Sequence, residues 1–366
     1  MKIAAFCQER SACTTIRIKH PAEKIAALKL ADVHMIGRAD PDMDKAINES
    51  DAVFLGRAGG DSMVAMIEEL KRRGKKVIYD LDDNMFNISP ISPHYRDFGI
   101  MPVEYDKDDG GKGDIWKHGS GGFDVYRNRQ SRRAFIEIIR SVDCVTVTTE
   151  PLAKVYRRMN DNVRIVPNSL DFSVWSKPPI RSEVDEVRLL YTGAANHQED
   201  WLFVSPVLAE LQKEHPRLKI VLVGADWKNI QHGIDYSRVE CHGWTDIEAY
   251  PYKLQTLCCD IGIAPLSKID FNECRSSIKW MEYSALKMAT VATNFGPYKR
   301  DCTDGENALL VEERPAWKEA LSRVIVDSSY RKQLSESAYR HCKRHYDLDY
   351  VVDLWFSSFT SATGRN

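Results

Sequence analysis

The segment Phe271-Asn-Glu-Cys-Arg-Ser-Ser-Ile-Lys-Trp-Met-Glu-Tyr-Ser-Ala-Leu286 predicts a helix that begins shortly after a buried strand. The strand is the apolar run Asp260–Leu266, which lacks polar alternation and is therefore typical of a parallel sheet. Ser276 or Ser277 is a candidate N-cap, and residues 278–286 continue as the helix. Such a helix start presents unpaired backbone N–H groups and the positive end of a dipole, which favour a bound phosphate.

Three charged side chains accompany this predicted helix start. Arg275 comes just before it, and Lys279 and Glu282 share one helical face because they are three residues apart. A cation, a helix N-terminus and a carboxylate one turn deeper could together hold a diphosphate and a ribose. An ordinary amphipathic helix with an ion pair fits the same spacing, so the residues alone leave both interpretations open.

The composition predicts a globular protein of more than one domain. A chain of 366 residues is long enough for two domains of ordinary size. Its formal net charge of −2 gives no general attraction to nucleic acid or to an anionic membrane. The nine cysteines are scattered without a C-x-x-C pair, as in a protein whose thiols stay reduced. No apolar run is long enough to span a membrane, and residues 2–7 form a strand rather than a signal peptide, so we expect a cytoplasmic location.

The first 177 residues alternate strands and helices in the manner of a Rossmann-like domain. This βαβ rhythm predicts a parallel sheet with helices on both faces. Ligands of such sheets bind beyond the carboxyl ends of the strands, so polar side chains at those ends are candidate site residues. The candidates are Arg17, Arg57 and the acidic run Asp80-Leu-Asp82-Asp83.

Residues 88–124 interrupt this alternation. Their prolines, glycines and aspartates predict a long loop with little regular structure, which is either functional or a solvated insertion. A basic helix over 123–140 follows, with four arginines close together: Arg127, Arg129, Arg132 and Arg133.

The segment Lys177-Pro-Pro179 is the predicted domain boundary, because prolines contribute no N–H to a helix or a sheet. Strand–helix alternation restarts after it and predicts a second Rossmann-like domain over residues 178–345. The predicted fold class is therefore α/β, with two parallel sheets facing across a cleft. Strands of the second domain are predicted to end near Gly193, Gly224 and Trp244.

A combination of motifs in the second half is typical of one enzyme family. Arg275-Ser-x-x-Lys279-x-x-Glu282 follows the strand Asp260–Leu266, and Gly296-Pro-Tyr298 comes after the next strand. This pattern resembles the retaining nucleotide-sugar glycosyltransferases of the GT-B architecture, in the family 4 (group 1) set. The resemblance covers most of residues 140–360. It implies a GT-B fold whose C-terminal helix, residues 346–366, packs back on the first domain.

The chain departs from the family pattern at two places. The family's paired carboxylates lie eight positions apart, but the residue eight positions before Glu282 is Cys274, and Glu273 is one residue off. The loop Gly193–Asp200 lacks the Arg and Lys that often contact the diphosphate. Arg275 and Lys279 would then supply the positive charge. His197 and Asp200 in that loop either touch the donor or lie on the surface.

The resemblance implies transfer from a nucleotide-diphosphate sugar, with a UDP-sugar favoured, and retention of configuration. Glu282 would accept hydrogen bonds from the ribose hydroxyls. Arg275 and Lys279 would stabilise charge that grows on the departing diphosphate. No cofactor is expected beyond the sugar nucleotide. Further donor contacts are predicted at Gly193, His197, Gly224, Trp244, Ser276 and Ser277.

On the acceptor side, Asp82 lies where the resembling family often places a histidine that faces the sugar. Asp80 and Asp82 would otherwise cap or form ion pairs at the strand end. Their D-x-D spacing binds a metal in another glycosyltransferase architecture, but the two-Rossmann fold normally needs none, so no metal is expected. The absence of a G-x-G-x-x-G fingerprint after the first strand argues against a dehydrogenase. Further acceptor-side candidates are Asp83, Arg17, Arg57, His94 and Tyr95.

The acceptor is predicted from weaker resemblances. Residues 116–129 and 145–152 resemble segments of bacteriophage glycosyltransferases, some of which modify hydroxymethylated pyrimidines in DNA. Arg127, Arg129, Arg132 and Arg133 would then contact phosphates. A polysaccharide or a lipid-linked glycan remains an alternative acceptor. A nucleotide-sugar epimerase and a non-catalytic nucleotide-sugar-binding protein are also compatible with these residues, and the sequence does not indicate an oligomeric state.

Overall fold

The computed structural model describes residues 1–8, 11–107, 110–175, 186–194, 197–225 and 233–365. The chain forms two compact units, Met1–Asn168 with Val351–Asn366, and Ser169–Tyr350. Each unit contains a six-stranded sheet in which all neighbouring strands are parallel. The predicted α/β class with two parallel sheets is confirmed. The predicted boundary at 177–179 lies outside the described residues.

The strands of the first unit are β1 (Lys2–Phe6), β2 (Asp32–Ile36), β3 (Ala52–Leu55), β4 (Lys76–Leu81), β5 (Val103–Asp106), β6 (Lys112–Trp116), β7 (Cys144–Val147) and β8 (Val163–Ile165). Its helices before the second unit are α1 (Ala12–Thr14), a π-helical turn (Thr15–Lys19), α2 (His20–Ala27), α3 (Met43–Glu49), α4 (Asp61–Arg72), α5 (Tyr95–Phe98), α6 (Val125–Ser141) and α7 (Glu150–Tyr156). The sheet order is β2-β1-β3-β4-β7-β8.

The second unit has the sheet order β11-β10-β9-β12-β13-β14. Its strands are β9 (Val187–Gly193), β10 (Leu218–Gly224), β11 (Val239–His242), β12 (Ile261–Ala264), β13 (Ala289–Thr293) and β14 (Leu309–Val311). Its helices are α8 (Phe172–Trp175), α9 (Gln198–Glu214), a 3-10 turn (Tyr236–Arg238), α10 (Tyr250–Leu257), α11 (Asp270–Glu273), α12 (Ile278–Ala285), α13 (Gly296–Asp301), α14 (Arg314–Val326) and α15 (Ser328–Tyr346). The last helix of the chain is α16 (Leu348–Thr363).

Unbroken apolar runs become strands that are covered on both faces. All four residues of β3 and of β12 are buried. Leu189 and Leu190, adjacent in β9, belong to different hydrophobic clusters, because successive side chains point to opposite faces of a sheet. This two-sided burial explains why these strands show no polar alternation.

Residues 88–124 contain more regular structure than the sequence predicts. Helix α5 and the antiparallel hairpin β5–β6 lie within this segment. The rings of Tyr95, Trp116 and Phe123 form a small core of their own, with centroids 5.6 to 6.0 Å apart. The structure thus corrects the prediction of a largely irregular loop. Sequence pattern misses the hairpin because β5 and β6 are mostly exposed and polar, with no apolar run to mark them.

Helix α16 contributes to the core of the first unit. Trp355 and Phe359 lie one turn apart on the same helical face. Their ring centroids are 5.4 and 5.1 Å from that of Phe54 in β3. The core of the first unit therefore includes a segment that follows the whole second unit in sequence.

Candidate active site

The start of helix α12 lies at the carboxyl edge of the second sheet, after β12 and the short helix α11. Ser277 occupies the N-cap position, but its side chain does not cap the helix. Its Oγ donates instead to Asp301 Oδ2 over 2.7 Å. The hydroxyl therefore does not fill the helix start, where an anion would meet the backbone N–H groups.

Arg275 precedes this helix and is held by contacts of its side chain and of its backbone carbonyl. Its Nη1 lies 3.3 Å from Nε2 of His197. Its guanidinium carbon is 5.6 Å from the ring centroid of Phe271. Its backbone carbonyl accepts a hydrogen bond from Arg300 Nη2 over 2.9 Å. The guanidinium is thus directed toward the loop that follows β9.

Lys279 has a covered amino group. Its Nζ has no hydrogen-bond partner among the described residues and lies 5.1 Å from the ring centroid of Tyr191. Burial lowers the pKa of Lys279 to about 8; the charge of Arg275 acts in the same direction, while Asp200 and Glu282 oppose it. A buried ammonium without an acceptor is costly, so an anion at this position would supply a missing interaction.

Glu282 lies one turn further along the helix and is 6% exposed. Tyr250 donates a hydrogen bond from its hydroxyl to Glu282 Oε2 over 3.4 Å. Burial raises the pKa of Glu282 to about 8, while Lys279 and Tyr250 act in the opposite direction. A carboxyl group in this environment can hold a proton near neutral pH and still offer an acceptor oxygen to a hydroxyl.

His197 and Asp200 lie at the start of α9, in the loop that follows β9. His197 Nδ1 is 2.7 Å from Asp200 Oδ2. Asp200 Oδ1 accepts hydrogen bonds from the backbone N–H of Ser267 over 2.7 Å and from its hydroxyl over 2.9 Å. Both His197 and Asp200 are buried. The interpretation of this loop as a solvated surface segment is therefore wrong for these two residues.

Ser267 is a residue that the sequence analysis missed. It follows β12, and Asp200 follows β9; these two strands are neighbours in the sheet. Because carboxyl ends of neighbouring parallel strands meet at one edge, strand order would have brought the two residues together. Tyr191 and Tyr250 were also missed, and no motif in the sequence marks either of them.

The remaining donor candidates are distributed unevenly. Gly193 and Gly224 are paired at the ends of β9 and β10. Gly224 has φ +112°, and a Cβ there would collide with the carbonyl oxygen of Gly193. Trp244 is 76% exposed beyond the edge strand β11, and Ser276 is half-buried. The two glycines allow a close backbone approach at this edge. No contact among the described residues joins Trp244 to Arg275, Lys279 or Glu282.

In the first unit, Arg17 is engaged by other residues of the same unit. Its Nε and Nη2 donate to the two carboxylate oxygens of Asp80 over 3.0 and 2.8 Å. Its Nη1 donates to the carbonyl of Val166 over 2.7 Å. Its guanidinium also lies 4.5 Å from the ring centroid of Trp355. Arg17 and Asp80 are 2% and 3% exposed, so this pair holds core elements together.

Arg57 lies between the two remaining aspartates. Its Nη1 is 3.4 Å from Asp82 Oδ1 and 3.3 Å from Asp83 Oδ2. Burial lowers the pKa of Arg57, but the two carboxylates outweigh it and raise the pKa well above its ordinary value. The side chain of Asp82 is 15% exposed. The predicted ion pairing at this strand end is thus present, and a role for Asp82 toward an acceptor stays a prediction.

The other first-unit candidates take different positions. His94 is exposed before α5, whereas Tyr95 is buried and donates its hydroxyl to the carbonyl of Met101 over 3.1 Å. On α6, Arg132 packs 4.9 Å from the ring centroid of Phe86. The other three candidates on this helix, Arg127, Arg129 and Arg133, are exposed.

The described residues contain no group of three or more His, Cys, Asp or Glu side chains placed to hold a metal ion. In the same part of the chain, no helix is both long and apolar enough to cross a membrane.

A family model matches residues 186–327. Its description is glycosyl transferases group 1. The group 1 glycosyltransferase match includes His197, Arg275, Lys279 and Glu282 and leaves out every candidate of the first unit. No curated protein matches the chain by sequence.

Three solved structures resemble the chain in fold, two of them over nearly its whole length. HepE from Anabaena, in complex with UDP and glucose, is 13% identical with a TM-score of 0.67, over 98% of this chain and 99% of that chain. Sucrose-phosphate synthase from Thermosynechococcus elongatus is 13% identical with a TM-score of 0.63, over 100% of both chains. TarM from S. aureus is 13% identical with a TM-score of 0.58, over 85% of this chain and 56% of that chain. At such low identity the likeness concerns the fold, which is that of the GT-B glycosyltransferases.

Proposed function

We propose that this protein is a glycosyltransferase that moves a sugar from a UDP-sugar to an acceptor hydroxyl with retention of configuration. The observation that carries the proposal is the covered amino group of Lys279, which has no hydrogen-bond partner among the described residues and lies in the first turn of the helix that Arg275 precedes. The group 1 family match over residues 186–327 supports the reaction class. The HepE structures, which contain UDP, glucose or UDP-glucose, support the choice of donor.

The donor diphosphate would bind at the N-terminus of α12. Its oxygens would accept hydrogen bonds from Lys279 and Arg275, and the helix dipole would add to their attraction. Glu282, one turn further on, would meet the ribose hydroxyls. This order of groups along one helix matches the order of ribose and phosphates in a nucleoside diphosphate.

The chemical step would break the bond between the sugar and the diphosphate. Negative charge then grows on the departing phosphate, where the fixed cations of Arg275 and Lys279 stabilise it without reorganisation. In a retaining transfer of this type the leaving phosphate can take the proton of the acceptor hydroxyl. Asp82 is our candidate for contact with the acceptor, and we propose that no metal takes part.

We propose hydroxymethylated pyrimidine in DNA as the acceptor. Arg129 and Arg133 support this choice, because they lie four residues apart and are exposed on α6. The nine cysteines, which form no disulfide among the described residues, fit a reaction in the cytoplasm of a bacterium or of a phage-infected cell. A polysaccharide or lipid-linked glycan is the alternative acceptor.

The test is to incubate the protein with a panel of UDP-, GDP- and TDP-sugars and three acceptors. These are a hydroxymethylated duplex, the same duplex unmodified, and a mixture of oligosaccharides. We expect UDP release and a mass increase of one hexose on the hydroxymethylated duplex alone, with the anomeric configuration of the donor kept. Transfer to an oligosaccharide alone would overturn the DNA acceptor. Isomerised sugar without UDP release would identify an epimerase, and binding without either reaction would identify a binding protein.

A variant separates specific DNA contact from general charge. We expect the double substitution Arg129→Ala and Arg133→Ala to weaken duplex binding. The slope of the logarithm of the binding constant against the logarithm of the salt concentration should become shallower by about two, the contribution of two phosphate contacts. The control is Arg340→Ala, which removes an exposed arginine of α15 in the other unit. Equal binding and equal salt dependence in both variants would remove α6 from the proposed DNA contact.

A further inference from the structure

A chain of hydrogen bonds connects the loop after β12 with the guanidinium of Arg275. Ser267 donates twice to Asp200 Oδ1, over 2.7 and 2.9 Å. Asp200 Oδ2 is 2.7 Å from His197 Nδ1. His197 Nε2 is 3.3 Å from Arg275 Nη1. These four residues come from three separate segments of the chain.

The direction of this chain follows from the charge of Asp200. Its carboxyl lies in the first turn of α9, where the helix dipole favours a negative charge. Burial acts to raise the pKa of Asp200, but the hydrogen bond with His197 and the charge of Lys279 outweigh it and hold the pKa below its ordinary value. An ionised carboxylate only accepts hydrogen bonds. His197 must therefore carry its proton on Nδ1.

The opposite nitrogen of His197 is then an acceptor. Burial lowers the pKa of His197 to about 3; the charges of Lys279 and Arg275 act in the same direction, against the hydrogen bond to Asp200. The imidazole is neutral at physiological pH, with a lone pair on Nε2. Arg275 Nη1 donates to this lone pair.

We propose that Asp200 is a positioning residue, which fixes the His197 tautomer that holds the guanidinium of Arg275 at the start of α12. Asp200 need not touch the donor in this role. The inference rests on the proposed function, because the position of Arg275 matters to the rate only if a diphosphate departs beside it.

The substitution Asp200→Asn would reverse which atom donates in the hydrogen bond between residue 200 and His197. Both Ser267 donors face Oδ1, so the carbonyl oxygen of the new amide stays on that side. Its NH2 group then faces His197 Nδ1 and forces the proton onto Nε2, as expected when an amide replaces a carboxylate that orients a histidine. Two donors, Nε2–H and the Arg275 guanidinium, would face each other. Arg275 would be displaced, although asparagine fills nearly the same volume as aspartate at position 200.

The first measurement is the tautomer itself. Long-range 1H–15N spectra of the full chain labelled at histidine distinguish Nδ1–H from Nε2–H, and His197→Asn identifies the signal of residue 197. We expect Nδ1–H in the unmodified protein and Nε2–H in Asp200→Asn. An Nε2–H tautomer in the unmodified protein would overturn the proposal, even if Asp200→Asn failed to fold.

The second measurement is a double-mutant cycle on the transfer rate. We expect Asp200→Asn to lower kcat about 10-fold or more while KM for the donor changes little, because a small misplacement of a charge-stabilising group is costly. In the background of Arg275→Ala the same substitution should cost less than about threefold, since the residue it positions is gone. Fully additive losses, or an unchanged kcat in Asp200→Asn, would overturn the proposal.

A matched control separates positioning from loss of a histidine–carboxylate pair in general. Glu240 in β11 accepts from His242 Nε2 over 2.6 Å and also pairs with Arg188. We expect Glu240→Gln to leave kcat unchanged. If the unmodified protein transfers no sugar to any acceptor, the proposed function fails, whereas the tautomer spectra still confirm or overturn the role of Asp200.

Discussion

Lys279 has two properties that lower the stability of the folded protein. Its amino group is removed from water, and the described residues offer it no acceptor. Interaction with the face of Tyr191 offsets only part of this cost. A buried charged group without an acceptor is expected at a binding site, where the ligand supplies the missing interaction.

Lys279→Met should therefore have opposite effects on stability and on function. We expect the free energy of unfolding of the unliganded protein at pH 7 to rise by about 1 to 3 kcal/mol, because a buried charge with a lowered pKa is removed. We expect UDP binding to weaken at least tenfold. Urea unfolding and calorimetric titration with UDP measure the two effects.

The control for Lys279→Met is Lys213→Met, which changes an exposed lysine of α9. It should alter neither quantity. A destabilised Lys279→Met variant with unchanged UDP binding would contradict the role assigned to this amino group.

Glu282 should leave a signature in the pH dependence of stability. Burial raises the pKa of Glu282 to about 8 in the folded state, from an ordinary value of 4.5. The folded protein thus retains a proton that the unfolded chain has lost, so its contribution is fully present below pH 4.5 and is lost as pH rises to about 8. The slope is at most about 1.4 kcal/mol per pH unit.

Glu282→Gln removes this titration. We expect its unfolding free energy, measured in urea at several pH values between 4.5 and 9, to fall less steeply than that of the unmodified protein. Glu137→Gln on the exposed side of α6 serves as the control. Parallel curves for Glu282→Gln and the unmodified protein would show that Glu282 is not protonated in the folded state.

At the scale of elements, burial decides which ones the sequence predicts. Strands β3 and β12 are predicted because burial on both faces leaves an apolar run. The hairpin β5–β6 is missed because it is mostly exposed, and the rings of Tyr95, Trp116 and Phe123 that pack beside it follow no regular spacing in the sequence. The helix after Ser277 is predicted because its start, its spacing and the preceding strand agree.

Helix α16 offers a test at this scale. Trp355 is buried against Phe54 and lies under the Arg17 guanidinium. We expect Trp355→Ala to lower the unfolding free energy by about 3 to 5 kcal/mol, as for other buried aromatic residues. Chemical denaturation followed by circular dichroism measures the change.

The control for this helix is Leu354→Ala, because Leu354 is 45% exposed. Its effect should stay within about 0.5 kcal/mol. A loss below 1 kcal/mol in Trp355→Ala would mean that α16 contributes little to the core of the first unit.

At the scale of the whole molecule, the sequence predicts the two sheets and places the charged residues of α12 together. It does not predict their partners, because the contact of Arg275 with His197 joins residues 78 positions apart. Arg17 illustrates the reverse problem. Its position after a strand suggests a site, but its donors are directed to Asp80, Val166 and Asn168 within the unit.

The ion pairs of Asp80 and Asp82 with arginines bear on whether the reaction depends on a metal ion. Both oxygens of Asp80 accept hydrogen bonds from Arg17, and Asp82 pairs with Arg57. A divalent cation at this D-x-D run would have to displace two arginines. We expect sugar transfer to continue at the same rate in excess EDTA, with added Mg²⁺ causing no increase. A loss of activity in EDTA that Mg²⁺ restores would contradict a metal-independent mechanism.

The division of the first unit into two chain segments has a consequence for synthesis. Residues 169–350 form one continuous segment and can fold as soon as they leave the ribosome. The first unit lacks Trp355 and Phe359 until residues 351–363 have been made, so Phe54 of β3 waits for its partners during translation of the entire second unit. The earlier-synthesised sheet would therefore be the later one to reach its final packing.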